Sequence, residues 1–276
     1  MNTDKEKKPE AKTELELLRE KAIKETKEAI SKSITEDNKI IQATSSLDIL
    51  ENSANAIAKK AREWYSLNLP ELEHQIKDHE KFLEIASNKN KEELMKELKI
   101  NITMGTNLEK IDLETLKSFL ELAKKMQEER RKIKKYLSEI SSNYCPGLQK
   151  MAGTTITAKL ITQAGSLNKL SRVPASTLQL YGAETALFRH LKNKKRNRPP
   201  KYGFIFSHPL IQKVSRENRG KASRALADKL SIITKIDYFN KDKNNNLLKA
   251  EEMIKELENK FDIKLSENIE NFEVEE

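Results

Sequence analysis

Cysteine is almost absent: the 276 residues hold one, Cys145. A single thiol excludes an internal disulfide framework and fits a reducing compartment. Glycine occurs seven times and aromatic residues make up 5%, a balance that suits long solvated helices rather than a compact β-sheet protein. No apolar run approaches the roughly 20 residues needed to span a bilayer. The opening MNTDKEKKPEAKTELELL has no apolar stretch of the kind a secretory signal requires. These absences predict a soluble, intracellular, all-α protein with no membrane partner.

Catalytic signatures are missing as well. There is no glycine-rich phosphate loop, no Walker sequence and no nucleophile elbow. Of the four histidines, His74 and His79 are five residues apart and do not share a helix face, so they do not read as a zinc pair. Cys145 has no histidine near it in sequence to activate it. The stretch NKDKNNNLLKAE, residues 240 to 251, places oxygen-bearing side chains at several calcium-loop positions. It has Asn240 first, Asn245 in place of the turn glycine and Leu248 at position nine, so it reads as an Asn-rich turn without an ion. The expectation is a protein with no enzymatic activity, no cofactor and no metal.

What the chain does have is localised positive charge. Hydrophobic residues make up 37% and charged residues 34%, with a net charge of +9. Between Arg189 and Lys229 stand thirteen Lys or Arg against Glu217 and Asp228, a balance of +11, so the rest of the chain is slightly acidic. The densest part lies within GAETALFRHLKNKKRNRPPKYGFIF, residues 182 to 206. There Lys192, Lys194, Lys195, Arg196, Arg198 and Lys201 fall within ten residues and are stiffened by Pro199 and Pro200. A second cluster, Arg216, Arg219, Lys221 and Arg224, sits around the start of a helix, where free backbone N–H groups also favour phosphate. Charge concentrated in this way points to a polyanion, with cations on a semi-rigid loop losing little entropy on binding. His208 offers either a ring to stack on an exposed base or a capping residue before Pro209. The competing reading is a solvated basic face with no partner; two clusters close in one domain weigh against it.

Hydrophobic spacing organises the remainder. Residues 1–36 form a charged extension, with a marginal helix from Thr13 that carries Leu15, Leu18 and Ala22 on one side. Residues 37–142 form a helical segment, and Trp64 and Tyr65 in it anchor packing. Within it, Leu69, Leu72, Ile76, His79, Leu83 and Ala86 follow a heptad seam. After a break around Gly105, a second apolar series returns from Leu113 to Ile140. The pair predicts a protruding antiparallel coiled-coil hairpin over about 69–141. Residues 143–240 form a globular helical unit, with Gly165 ending one helix and Pro174 opening the next. Residues 241–276 read as an acidic tail, helical to about Phe261.

Several of these stretches resemble a known family. VPASTLQLYGAETALFRHLK and PPKYGFIFSHPLIQKVSRENRGKASRALADKLSIITKID closely resemble the signature of the Nop domain. REWYSLNLPEL, the helical hairpin and CPGL resemble the family's preceding segments in the same order. The resemblance covers about residues 37–239. Its family comprises core proteins of box C/D ribonucleoproteins and a related pre-mRNA splicing factor, and ALFRHLK resembles the box C/D branch more.

The resemblance implies an RNA-binding, RNA-processing scaffold. Such a scaffold recognises a kink-turn RNA, here of the box C/D guide or snoRNA type, already bound by a small ribosomal-protein-like partner. It implies that Gly182, Ala183, Glu184 and Phe188 face that partner, while Arg189 and the basic residues 192–201 approach RNA. Lys201, Lys221 and Arg224 would meet phosphates with Arg219 beside them, and His208 would lie near the RNA. It also implies a homodimer through the arm, and a cytoplasmic location in an archaeal-like cell or a nuclear or nucleolar one in a eukaryote. Two departures limit it. Thr185 stands where the family usually has a basic residue. The first 36 residues do not resemble the domain that recruits fibrillarin, so methyltransferase recruitment is not carried over. The alternative from another class is a coiled-coil assembly protein that binds nucleic acid non-specifically; a duplex-DNA reader is disfavoured, since no helix-turn-helix or zinc-finger pattern is present.

Overall fold

In a computed structural model of the chain, residues 13–265 are described. All regular structure among them is helical. The first helix, α1 (Glu14–Ser33), opens on a reciprocal cap: Glu16 N donates to Thr13 Oγ1 at 3.4 Å and Thr13 N to Glu16 Oε2 at 2.9 Å. It buries no residue, and Leu15 and Leu18 face outward. Helix formation here follows propensity and capping rather than packing.

Two long helices form the backbone of the molecule, α2 (Glu36–Tyr65) and α6 (Lys110–Tyr144). They run antiparallel. At one end the Trp64 and Phe119 rings lie 5.8 Å apart; at the other the Tyr144 hydroxyl donates to Asp37 at 3.0 Å. Neither contains glycine or proline.

The expected first limb of the arm is not a continuous helix. The heptad seam is divided among α3 (Pro70–Gln75), α4 (His79–Asn88) and α5 (Lys91–Glu97). The break at residues 76–78 is set by two polar groups. Asp78 caps α4 by accepting from Lys81 N at 2.7 Å. The buried Arg62 guanidinium donates to the carbonyls of Glu73, Ile76, Lys77 and Asp78, which satisfies the end of α3 and turns the chain. Gly105 does not separate two limbs of a hairpin but packs against the chain just past the end of α2: Thr106 N donates to Leu67 O at 2.8 Å, and a Cβ on Gly105 would lie 2.1 Å from the Asn68 carbonyl oxygen. The antiparallel pair is therefore α2 with α6, and α3–α5 fold over its far end. The seam residues Leu69, Leu72, Leu83 and Ala86 are still buried, with Phe82, Leu116 and Leu120, in a separate core.

The body gathers α7 (Pro146–Ala152), α8 (Thr154–Ala164), α9 (Leu167–Arg172), α10 (Ala175–Leu180) and α11 (Glu184–Lys192). It continues through a 3-10 turn at Phe204–Ser207 into α12 (Pro209–Lys213), α13 (Arg219–Phe239) and α14 (Lys243–Phe261). Gly165 ends α8 at φ +82, a left-handed position that glycine adopts without strain. The α13 helix is central, and its Asp237 carboxylate accepts from Gly147 N at 3.1 Å and Leu148 N at 2.7 Å at the start of α7. Burial nevertheless pushes the Asp237 carboxyl above the usual carboxylate range.

The C-terminal segment also differs from expectation. Ala250, Ile254 and Leu257 of α14, with Leu265 beyond it, are buried in the body core, so residues 241–265 belong to the body rather than to a tail. Residues 266–276, the rest of the expected acidic tail, lie outside the described residues. The calcium-like stretch is helical from Lys243, with Asp242 accepting from Asn244 N and Asn245 N as its cap.

Candidate nucleic-acid interface

Helix α11 leaves the body at Gly182, whose φ of +86 places it in the left-handed region; a Cβ there would lie 2.5 Å from the Phe204 ring. The Gly182 N–H donates to the Glu184 carboxylate at 2.9 Å. No residue of α11 is buried, and Phe188 and Leu191 are 67% and 53% exposed. Gly182 is exposed, while Ala183 and Glu184 are half-buried. The four residues expected to face a partner thus share one accessible corner with an apolar centre.

The basic loop that follows is tied at both ends. Asn197 Nδ2 donates to Arg189 O at 3.0 Å, and His190 Nδ1 lies 2.6 Å from Asn197 O, which folds residues 193–197 back on the end of α11. At the exit, the Lys201 carbonyl accepts from Gln179 Nε2 at 2.5 Å and from Ser223 Oγ at 3.1 Å, binding the loop to α10 and α13. Arg189, Lys192, Lys194, Lys195, Arg196, Arg198 and Lys201 are all exposed. None forms an ion pair with another described residue. The loop backbone is held while its cations make no ion pair with the described residues.

The second cluster meets the first. Lys201 Cδ lies 3.6 Å from where a Cβ would stand on Gly220, so the loop crosses the first turn of α13. Lys221 and Arg224 are exposed and Arg219 is half-buried. Arg219 stands over the Phe206 ring, 5.8 Å from its centroid.

His208 is placed differently from the stacking role. It is 1% exposed, with Nε2 2.8 Å from Met151 O, and Nδ1 accepts from Leu210 N at 3.1 Å as the cap of α12. Burial holds its pKa down to about 4, so the ring is neutral and closed off from any RNA base. The aromatic surface lies two residues earlier. Tyr202 and Phe206 stack with centroids 4.6 Å apart and an interplanar angle of 16°, and Phe206 is 37% exposed. Their i, i+4 spacing inside a basic segment is the signal that a sequence reading could have used. Among the described residues no cluster of His, Cys, Asp or Glu is arranged to hold a metal, and no helix is long and apolar enough to cross a membrane.

The fold and this surface define a helical protein that presents exposed positive charge from a fixed scaffold. The Nop family model, described as snoRNA binding domain, fibrillarin, matches residues 46–262, and the chain belongs to that family. It is 36% identical over 242 residues to an uncharacterized NOP5 family protein of Methanocaldococcus jannaschii, covering 82% of this chain and 58% of that protein. It is 38% identical over 224 residues to nucleolar protein 56 of Schizosaccharomyces pombe, covering 74% of this chain and 45% of that one. Human nucleolar protein 56 is 37% identical over 223 residues, covering 74% of this chain and 37% of that protein. The chain therefore spans between about a third and three fifths of the length of these relatives. A solved fibrillarin/Nop5p complex contains a chain similar at a TM-score of 0.47 and 23% identity, covering 87% of this chain and 78% of that one; nothing about partners follows from a likeness of that level.

Proposed function

We propose that this protein is a non-enzymatic RNA-binding scaffold of a small box C/D-like ribonucleoprotein. It binds a kink-turn RNA already gripped by a small ribosomal-protein-like partner. The observation that carries the reading is the meeting of two basic clusters at Lys201 and Gly220 beside the exposed corner of α11. The cations supply phosphate contacts, and Phe188 with Leu191 supplies an apolar area that RNA alone would leave wet. A composite of RNA and protein covers both kinds of surface. Family membership and relatives named nucleolar protein 56 support the same reading. Recruitment of fibrillarin lies outside it.

A second copy of the chain pairs through the far end of the α2–α6 arm in this proposal. There Ile102, Met104 and Ile111 are 89%, 81% and 74% exposed, apolar side chains that a second copy would cover.

The test is a gel-shift titration on a kink-turn RNA at fixed salt, with and without the kink-turn-binding protein. A tight supershift that needs the partner supports the reading. Equal binding of bare RNA and duplex DNA overturns it in favour of a non-specific assembly protein.

A further inference from the structure

A groove of about 700 Å³ opens between the end of α12, the first half of α13 and the end of α14. The α13 side chains that line it are Lys221, Arg224 and Asp228, at the three- and four-residue steps that share one helix face. Lys213 comes from the last position of α12, and Lys260 with Phe261 from the last turn of α14. Four cations thus surround one concavity against a single carboxylate, Asp228. None of the four forms an ion pair with another described residue, although Asp228 is near at hand. Lys213 Nζ instead donates to the Lys264 carbonyl at 2.9 Å, which ties the α12 wall to the α14 wall.

The groove is not uniformly polar. Val214 is buried in its wall, and the half-buried Phe261 ring lies 5.9 Å from Lys260 Nζ. A volume of several hundred cubic ångströms is that of a small-ligand site. An apolar ring between cations suits a base with its attached phosphates, because every base has a face that stacks and every phosphate a charge that pairs. A structured stem would not enter such a concavity; an unpaired nucleotide would.

We infer that this groove binds an unpaired nucleotide of a single-stranded RNA segment, with its phosphodiester on Lys213, Lys221 and Arg224 and its base against Phe261 beside Lys260. The inference rests on the RNA-binding reading above and extends the RNA path around α13, away from the 192–201 loop. Lys213, Lys260 and Phe261 take no part in the loop cluster, so they separate the two surfaces.

The experiment measures fluorescence anisotropy of 5′-fluorescein-labelled hexauridylate on the full chain over a series of salt concentrations, with uridine monophosphate as competitor. Lys213→Gln/Lys260→Gln is expected to weaken hexauridylate about tenfold and to lower the salt slope by at most about 0.7, the contribution of the one single-strand phosphate that Lys213 contacts. Lys260→Arg, which keeps the charge, should restore most of the affinity that Lys260→Gln removes. Unchanged affinity in the double variant overturns the proposal. So does displacement by the monophosphate at equal nucleotide concentration, which would make the groove a free-nucleotide site. If the kink-turn supershift fails while hexauridylate binding still follows Lys213 and Lys260, the functional reading falls and the groove stands. If the supershift forms but hexauridylate ignores these lysines, the groove alone is overturned.

Discussion

The Tyr144 hydroxyl donates to the Asp37 carboxylate at 3.0 Å, joining the last residue of α6 to the second residue of α2. The other Asp37 oxygen accepts from the buried Leu167 N–H at 2.9 Å at the start of α9. One carboxylate therefore fixes where the arm meets the body. Tyr144→Phe should cost about 1 kcal/mol, because one hydrogen bond is lost while Asp37 keeps its bond from Leu167 N. Asp37→Ala should cost about 2–3 kcal/mol, since the Leu167 donor is left without an acceptor. Urea unfolding of the two variants checks the order; equal losses would contradict it.

Arg62 ties the arm's far end together. Its guanidinium serves four carbonyls and lies 4.5 Å from the Phe82 ring centroid. Arg62→Ala should destabilise the chain by about 3 kcal/mol through stranded carbonyls and poorer packing. Arg62→Lys should recover less than half, because an ammonium has no planar fork. RNA affinity of the lysine variant should stay within about twofold of wild type, and a larger change would show that the arm and the basic face are coupled.

The loop prediction concerns slope as well as affinity. Lys194→Gln/Lys195→Gln/Arg196→Gln should weaken the partner-bound kink-turn complex and lower its salt slope by about 0.9 for each phosphate that is no longer neutralised. Thermal stability should be unchanged, since these side chains are exposed and form no ion pair with another described residue. Gel shifts at three salt concentrations measure the slope; a loss of affinity at constant slope would mean that the loop acts other than through phosphates.

His208 gives the fold a pH dependence of definite sign. Its folded pKa of about 4 lies below the ordinary value near 6.5. The unfolded chain therefore takes up a proton that the folded chain refuses. The stability this contributes is complete above about pH 6.5 and is lost as pH falls through 4, with a loss of about 2 kcal/mol already at pH 5. Asp237, raised by burial, acts in the opposite direction, so the wild-type curve alone does not isolate the histidine. His208→Asn keeps an acceptor for Leu210 N and removes the titration. Melting both proteins at pH 7 and pH 5 should show the smaller drop in the variant; equal drops would refute the assignment.

Much of the helical layout was legible because it is written in local chemistry. The heptad-spaced apolar residues from Leu116 to Leu137, the left-handed Gly165 and the Pro174 that opens α10 each signal their own structure. The basic loop was equally plain, since charge density needs no knowledge of folding. The unbroken first limb of the arm failed because Arg62, sequentially remote from residues 73–78, satisfies carbonyls that a continuous helix would have paired internally. For His208 the sequence left stacking and capping open, and only the fold decides for capping, because its burial depends on Met151, far away in the chain. The α14 helix looked like a tail because its apolar face is narrow and its acids many, while the core it fills is built from α7 and α13. The groove was invisible for the same reason: Lys213, Lys221 and Lys260 come together only in space.

The uninterrupted course of α2 and α6 makes the molecule a ruler. Each residue of α6 advances about 1.5 Å, so its 35 residues mark out about 50 Å between the body and the far end of the arm. Without glycine or proline to bend it, that separation is a discrete quantity counted in residues. Adding seven residues to each helix would lengthen the reach by about 10 Å and nearly preserve its rotational phase. Adding two would lengthen it by about 3 Å and turn the far end through roughly 200°. If two copies meet through their arms, the spacing and relative facing of their basic surfaces would be set by this count.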